Sequence, residues 1–231
     1  MLRSNRWNNF YVNRPKVYNA YSTYQDKGNR IIKYLLKFIK LNDKVVLELG
    51  CGSGMYTGEI AKRCKILYAI DNSLPLLKIA KSKYKKHINI QFIHADITSI
   101  PLDDKSVDLI FSTFAYPPYG LENKCEKEVE RILKTEGQIW HVNNYPSGEF
   151  MKLRGLNESK GKKDRQRWYK QNGYILFKVL KTGFNFPDYK TGAKLFIEVF
   201  GDEVKKYIST HTNLNITRHV SIHTKMLHEN K

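Results

Sequence analysis

Cysteine is scarce: Cys51, Cys64 and Cys125 are three in 231 residues, and no two stand at C-x-x-C spacing. An odd, scattered set excludes a disulfide framework and a zinc-ligand pattern, so no metal is expected. Long apolar runs are missing too. Nothing approaches the ~18–20 residues that cross a bilayer, so no membrane span is expected. Residues 1–10 are polar and lack the apolar core of a secretory leader. A reduced, cytoplasmic protein is the expectation. Acidic residues are few, 22 Asp+Glu against 40 Lys+Arg, for a formal charge of +18. The excess is uneven: +7 over residues 1–50, +2 over 51–144 and +9 over 145–231. Basic flanks can hold nucleic acid. Aromatic-interleaved basic patches are few, however, and solvated lysines are the favoured account. With no repeat and no linker, one domain over residues 1–231 is predicted.

What is present centres on residues 45–54, Val-Val-Leu-Glu-Leu-Gly-Cys-Gly-Ser-Gly. A short apolar run with β-branched residues reads as a buried strand, and glycines at alternate positions end it. Glycine removes the Cβ that would keep a polar small molecule away from the backbone. The G-x-G-x-G form departs from the G-x-G-x-x-G of dinucleotide sites, whose third glycine serves helix–strand packing. Downstream, apolar strands at 65–70, 88–94, 107–114 and 138–142 alternate with helical patterns at 74–86 and 124–133. Such alternation implies right-handed βαβ units and a parallel sheet. A helical stripe through Ile31, Ile32, Leu35, Leu36 and Ile39 precedes it. Residues 1–26 are aromatic and polar with no clean period, which reads as an arm lying over something apolar. The last third predicts a short helix at 150–155, a loop at 158–163 and a helix at 165–171. A strand at 174–184, helices at 188–200 and 202–209, and a strand at 215–224 complete it.

The run Glu48-Leu49-Gly50-Cys51-Gly52-Ser53-Gly54 resembles the first motif of the class I S-adenosylmethionine-dependent methyltransferases. Residues 45–116 resemble that family in every segment, most closely the small-molecule group similar to the ubiquinone and menaquinone enzymes. The resemblance implies an α/β fold: a Rossmann-like seven-stranded sheet, helices on both faces, and a last strand antiparallel beside the fifth. It implies S-adenosyl-L-methionine as cofactor, S-adenosyl-L-homocysteine as product and a small-molecule acceptor.

Open α/β sheets bind ligands at the carboxyl ends of their strands, and four strand ends here carry suitable groups. The first has Glu48 with Gly50, Cys51, Gly52 and Gly54, Cys51 reading as a small packing residue. The second has Asp71 and Asn72, where two carboxylate oxygens match a ribose diol. The third has Asp96 for an adenine amino group and Ile97 for the ring face. The fourth has Ser112, in backbone beneath the methionine part. Tyr18 or Tyr21 of the arm is expected to close over the cofactor.

Methyl transfer is an in-line displacement that needs alignment and water exclusion more than acid–base groups. Tyr116, His141 and Tyr145 are the catalytic candidates on the acceptor side. Tyr116 and Tyr119 flank Pro117-Pro118, and P-P-Y is similar to the N-P-P-Y of amino-group methyltransferases. Tyr116 stands where the amide belongs, so that signature is absent. His141 is as readily a satisfied histidine on a sheet face. Lys152–Lys170, rich in Lys and Arg with Trp168 and Tyr169, reads equally as an anion-binding lid or as a solvated surface. An RNA or protein methyltransferase using the basic flanks, and a non-catalytic S-adenosylmethionine-binding protein, stay open as alternatives.

Overall fold

A computed structural model describes residues 10–118, 120–153 and 160–228, with backbone only at residues 160–164 and 203. Seven strands form one sheet in the order β3-β2-β1-β4-β5-β7-β6. They are β1 (Val45–Leu49), β2 (Ile66–Asp71), β3 (Ile90–His94), β4 (Val107–Thr113), β5 (Leu133–Asn144), β6 (Ile175–Gly183) and β7 (Thr217–Met226). The first five run parallel, and β7 lies antiparallel between β5 and β6. This is the Rossmann-like arrangement that the resemblance implies, with the last strand beside the fifth. Strand order reverses between β1 and β4, where such sheets open a crevice at their carboxyl ends.

The central strands are buried because helices cover both faces. On one face Val46, Phe111, Trp140, Val142, Val220 and Ile222 pack under α2 (Arg30–Leu35) and α3 (Thr57–Ala61). On the other, Leu47, Leu49, Ile110 and Ile139 pack under α5 (Glu122–Ile132). Helix α4 (Leu74–Lys83) starts where Ser73 Oγ accepts from the Leu76 amide, with Pro75 in its first turn.

A third apolar cluster sits over the crevice end of the sheet. It joins Phe10 and Tyr21 to Phe150, Phe184, Phe196, Val199 and Phe200. Tyr21 lies on α1 (Pro15–Tyr24), Phe150 on the short helix α6 (Glu149–Leu153), and Phe196, Val199 and Phe200 on α8 (Tyr189–Phe200), next to α9 (Asp202–Thr210), while Phe10 precedes α1 and Phe184 follows β6. Burying about 150–250 Å² per aromatic ring makes this cluster the main anchor of the arm.

The arm corrects the sequence reading. Residues 15–24 are helical, with Pro15 at the first position, where proline is preorganised. Their period is hidden because aromatics occur on several sides and tertiary contacts select the buried ones. The predicted loop at 158–163 is helical from its third residue, as α7 runs Lys160–Gln171. The stripe at 31–39 makes a helix only to Leu35 and continues as turns. Strand β5 begins at Leu133 rather than at 138, paired to Val107 across a register shift in the β4–β5 ladder. Arg154, Glu158 and Tyr119 lie outside the described residues, as do the side chains of Lys160, Lys162, Lys163 and Asp164.

Candidate active site at the strand tips

Gly50, just past β1, has φ +69°, followed by Gly52 at +54° and Gly54 at +79°. L side chains rarely adopt this left-handed backbone, which explains glycine at alternate positions. At Gly50 a Cβ would come within 2.2 Å of Ala115 Cβ, so the absent side chain lets the tips of β1 and β4 meet. The loop is held from below: Tyr84 Oη and Lys83 Nζ donate to the Gly54 carbonyl, at 2.6 and 3.1 Å.

Asp71, at the tip of β2, faces this loop. Its Oδ2 accepts from the Gly52 amide at 2.7 Å and its Oδ1 from the Ser73 amide at 2.8 Å. Burial raises its pKa while those two amides pull it down. Each oxygen keeps a second lone pair. Glu48 lies one pleat below the loop, 2% exposed, and its Oε2 accepts from Thr57 Oγ1 at 2.6 Å. Burial pushes the Glu48 carboxyl up to about 8, against the pull of Thr57 and Lys83.

The arm closes this side. Ser22 and Ser53 hydroxyls stand 3.3 Å apart, and Ser73 Oγ donates to the Tyr11 carbonyl at 3.0 Å. Tyr18 lies over Gly52, with its Cε1 3.6 Å from where a Cβ would sit. Tyr21 packs into the third cluster. Its ring is buried among Phe184, Phe196 and Phe200, at 5.9, 6.4 and 5.6 Å.

At the tip of β3, Asp96 is exposed, and its Oδ1 accepts from the Thr98 amide and hydroxyl at 2.8 and 2.6 Å. Those bonds to Thr98, with Asn72 alongside, hold its pKa down. Ile97 is half-buried against the face under α5. Cys51 packs with Ala69 and Leu77, as a small apolar residue does. Ser112 is fully buried and donates to the Leu49 carbonyl at 2.9 Å, tying β4 to β1 rather than offering its hydroxyl to the crevice.

Two catalytic candidates are buried. Tyr116 is fully buried, its hydroxyl bonded to Glu126 and, at 3.0 Å, to the Tyr174 hydroxyl. Desolvation, the neighbouring Tyr174 hydroxyl and the Glu126 carboxylate push its pKa far up. His141 is also fully buried, stacked on His223 at 5.2 Å, with Nε2 lacking a partner among the described residues. Burial holds its pKa well below the usual range, and it lies on the α5 face, away from Glu48. Tyr145, just past β5, keeps partial exposure.

Residues that sequence reasoning passed over stand at the same end. Asp26 accepts from Tyr56 Oη, Thr182 Oγ1 and the Ile31 amide at 2.8, 2.7 and 3.0 Å. Gln25 donates to Met55 Sδ at 3.3 Å. Arg218, only 2% exposed, donates to Asn144 Oδ1 at 2.7 Å and to Gln25 Oε1 at 3.1 Å. The available signal was Arg218 alternating with Ile216, Val220 and Ile222, a charge in an apolar register.

Among the described residues, no helix is long and apolar enough to cross a membrane, and no group of three or more His, Cys, Asp or Glu suits a metal.

Residues 47–141 match the methyltransferase domain family. The malonyl-[acyl-carrier protein] O-methyltransferase of Marinomonas sp. (strain MWYL1) is 32% identical over 123 residues, 52% of this chain and 46% of that protein. The phosphoethanolamine N-methyltransferase of Triticum aestivum is 40% identical over 93 residues, 39% of this chain and 18% of that protein. The chain thus spans less than half the length of these relatives. The crystal structure of a SAM dependent methyltransferase from Aquifex aeolicus superposes with TM-score 0.55 at 18% identity, covering 83% of this chain and 87% of that one. The glycine loop and the sheet order agree with the family match, and residues 47–141 of this chain form a methyltransferase domain.

Proposed function

We propose that the chain transfers a methyl group from S-adenosylmethionine to a small-molecule acceptor held at the tips of β4 and β5. The observation that carries the reading is Asp71. Its carboxylate is fixed by the Gly52 and Ser73 amides, with lone pairs left over at the tips of β1 and β2. The donor set suits an adenosyl ligand without phosphates. It offers a buried acid for a ribose diol beside Gly52, where the Tyr18 ring stands 3.6 Å from the position a Cβ would take. When bound, the cofactor supplies an electrophilic methyl on a sulfonium for in-line displacement.

The protein's part is binding, orientation and water exclusion. In this reading Asp71 and Asn72 take the ribose side, Asp96 and Ile97 the adenine side, and Gly50, Cys51, Gly52 and Gly54 give backbone contacts. Glu48 and Ser112 hold the loop and the β4 tip in register. Tyr18 closes the cofactor in, and the arm, latched at Ser53 and Ser73, keeps water out. With Tyr116 and His141 sealed, Tyr145 is the remaining candidate to touch the acceptor. A small acceptor is supported by one relative's name, which specifies phosphoethanolamine, while another specifies a malonyl group on an acyl-carrier protein.

Calorimetry with S-adenosylhomocysteine tests the cofactor side. Asp71→Ala is expected to weaken binding about tenfold or more, since it leaves buried polar partners unpaired. Unchanged affinity would remove Asp71 from the site.

A further inference from the structure

Arg218 has no ion-pair partner among the described residues, although it is 2% exposed. It starts on β7, two strands beyond β4, roughly 10 Å across the sheet. Its side chain reaches back toward the β4 tip, with Cζ 3.9 Å from the Phe114 ring centroid, 5.1 Å from Phe150 and 5.9 Å from Phe184. Nε donates to Asn144 Oδ1, and Nη1 to the carbonyl and side-chain oxygens of Gln25. Nη2 donates to no group among the described residues. Asp26 acts on the guanidinium through space, without a hydrogen bond. The remaining neighbours are the tyrosines 18, 21 and 56.

A guanidinium taken out of water is costly unless it is paired and hydrogen-bonded. Aromatic faces offset part of that cost, and two amide side chains satisfy only part of a five-donor fork. The guanidinium, whose Nη2 is not among the sealed unpartnered atoms, lies beside Phe114 and Asn144, at the tips of β4 and β5, on the sheet half away from Asp71. A planar fork with free N–H groups and aromatic walls matches a carboxylate or a phosphate.

We propose that Arg218 is the anion-binding group of the acceptor subsite, and that the acceptor carries a carboxylate or phosphate. The assignment rests on the methyl-transfer reading only in calling the anion the acceptor's. Charge then selects the substrate at a point where an uncharged analogue would leave the guanidinium unpaired.

The test is calorimetry on the full chain, first with S-adenosylhomocysteine, then with malonate, inorganic phosphate and uncharged malonamide. Malonate or phosphate is expected to bind both free protein and product complex, the stronger probe naming the group, and malonamide to bind at least tenfold more weakly. Arg218→Met should lower affinity for the favoured anion about tenfold or more and change that for S-adenosylhomocysteine less than about twofold. A wild-type co-crystal with the favoured anion needs no variant and should place it on Nη2. Absence of anion binding, equal binding of malonamide, or an anion seated elsewhere would overturn the assignment. So would an Arg218→Met variant that loses S-adenosylhomocysteine but retains 5′-methylthioadenosine, which lacks the amino-acid carboxylate. Failure of S-adenosylhomocysteine to bind wild-type protein would sink the cofactor reading alone, since the anion titration on free protein stands apart from it.

Discussion

Glu48→Gln isolates the electrostatic cost built into the first strand. Glu48 is 2% exposed, and burial raises its carboxyl from 4.5 to about 8. A raised native pKa means that the fold retains a proton which the unfolded chain gives up above pH 4.5. Stability is therefore full below that pH and falls as pH rises toward about 8. With 1.36 kcal/mol per pH unit, the loss is about 0.8 kcal/mol at pH 5 and about 3.3 kcal/mol at pH 7. Glutamine retains an acceptor for Thr57 Oγ1 and does not titrate. Urea unfolding of wild type and variant, followed by tryptophan fluorescence, gives the difference at each pH, and every other titrating group cancels. The variant should gain about 2.5 kcal/mol relative to wild type between pH 5 and pH 7. A difference that stays flat across this window would show Glu48 ionised in the fold and refute the reasoning.

Gly50→Ala should destabilise by about 2–5 kcal/mol in the same assay, because φ is +69° and the new Cβ would stand 2.2 Å from Ala115 Cβ. A loss below about 1 kcal/mol would mean that the β1 and β4 tips can part freely. On the acid side, burial brings His223 from 6.5 down to about 4, so the fold prefers the neutral ring. Its contribution is full above pH 6.5 and fades as pH falls toward 4, by about 3 kcal/mol. His223→Phe should flatten the wild-type stability loss between pH 6 and pH 4, and an unchanged slope would show that the ring takes its proton without cost.

The first four strands were legible because each is an apolar run closed by a polar or glycine-rich tip. Val45–Leu49 before the glycines and Val107–Thr113 before Phe114 needed no tertiary information. The loop glycines and Asp71 were legible too, since their roles follow from backbone reach and carboxylate shape. The arm helix at 15–24 was not, because the choice of buried ring depends on Phe184, Phe196 and Phe200 arriving from far along the chain.

By itself, then, the sequence determined the alternation of strand and helix, the glycine turn after β1 and the acids at successive tips, because these are local consequences of side-chain period and volume. Tertiary structure alone decided which polar groups are sealed. Tyr116 and His141 looked available in a linear reading and are buried under α5 and α7, while Arg218 was one more cation in a basic chain. Its guanidinium meets Gln25 across 193 residues of sequence. No local pattern carries that meeting; only the closed sheet, with β7 inserted beside β5, puts the buried charge at the crevice.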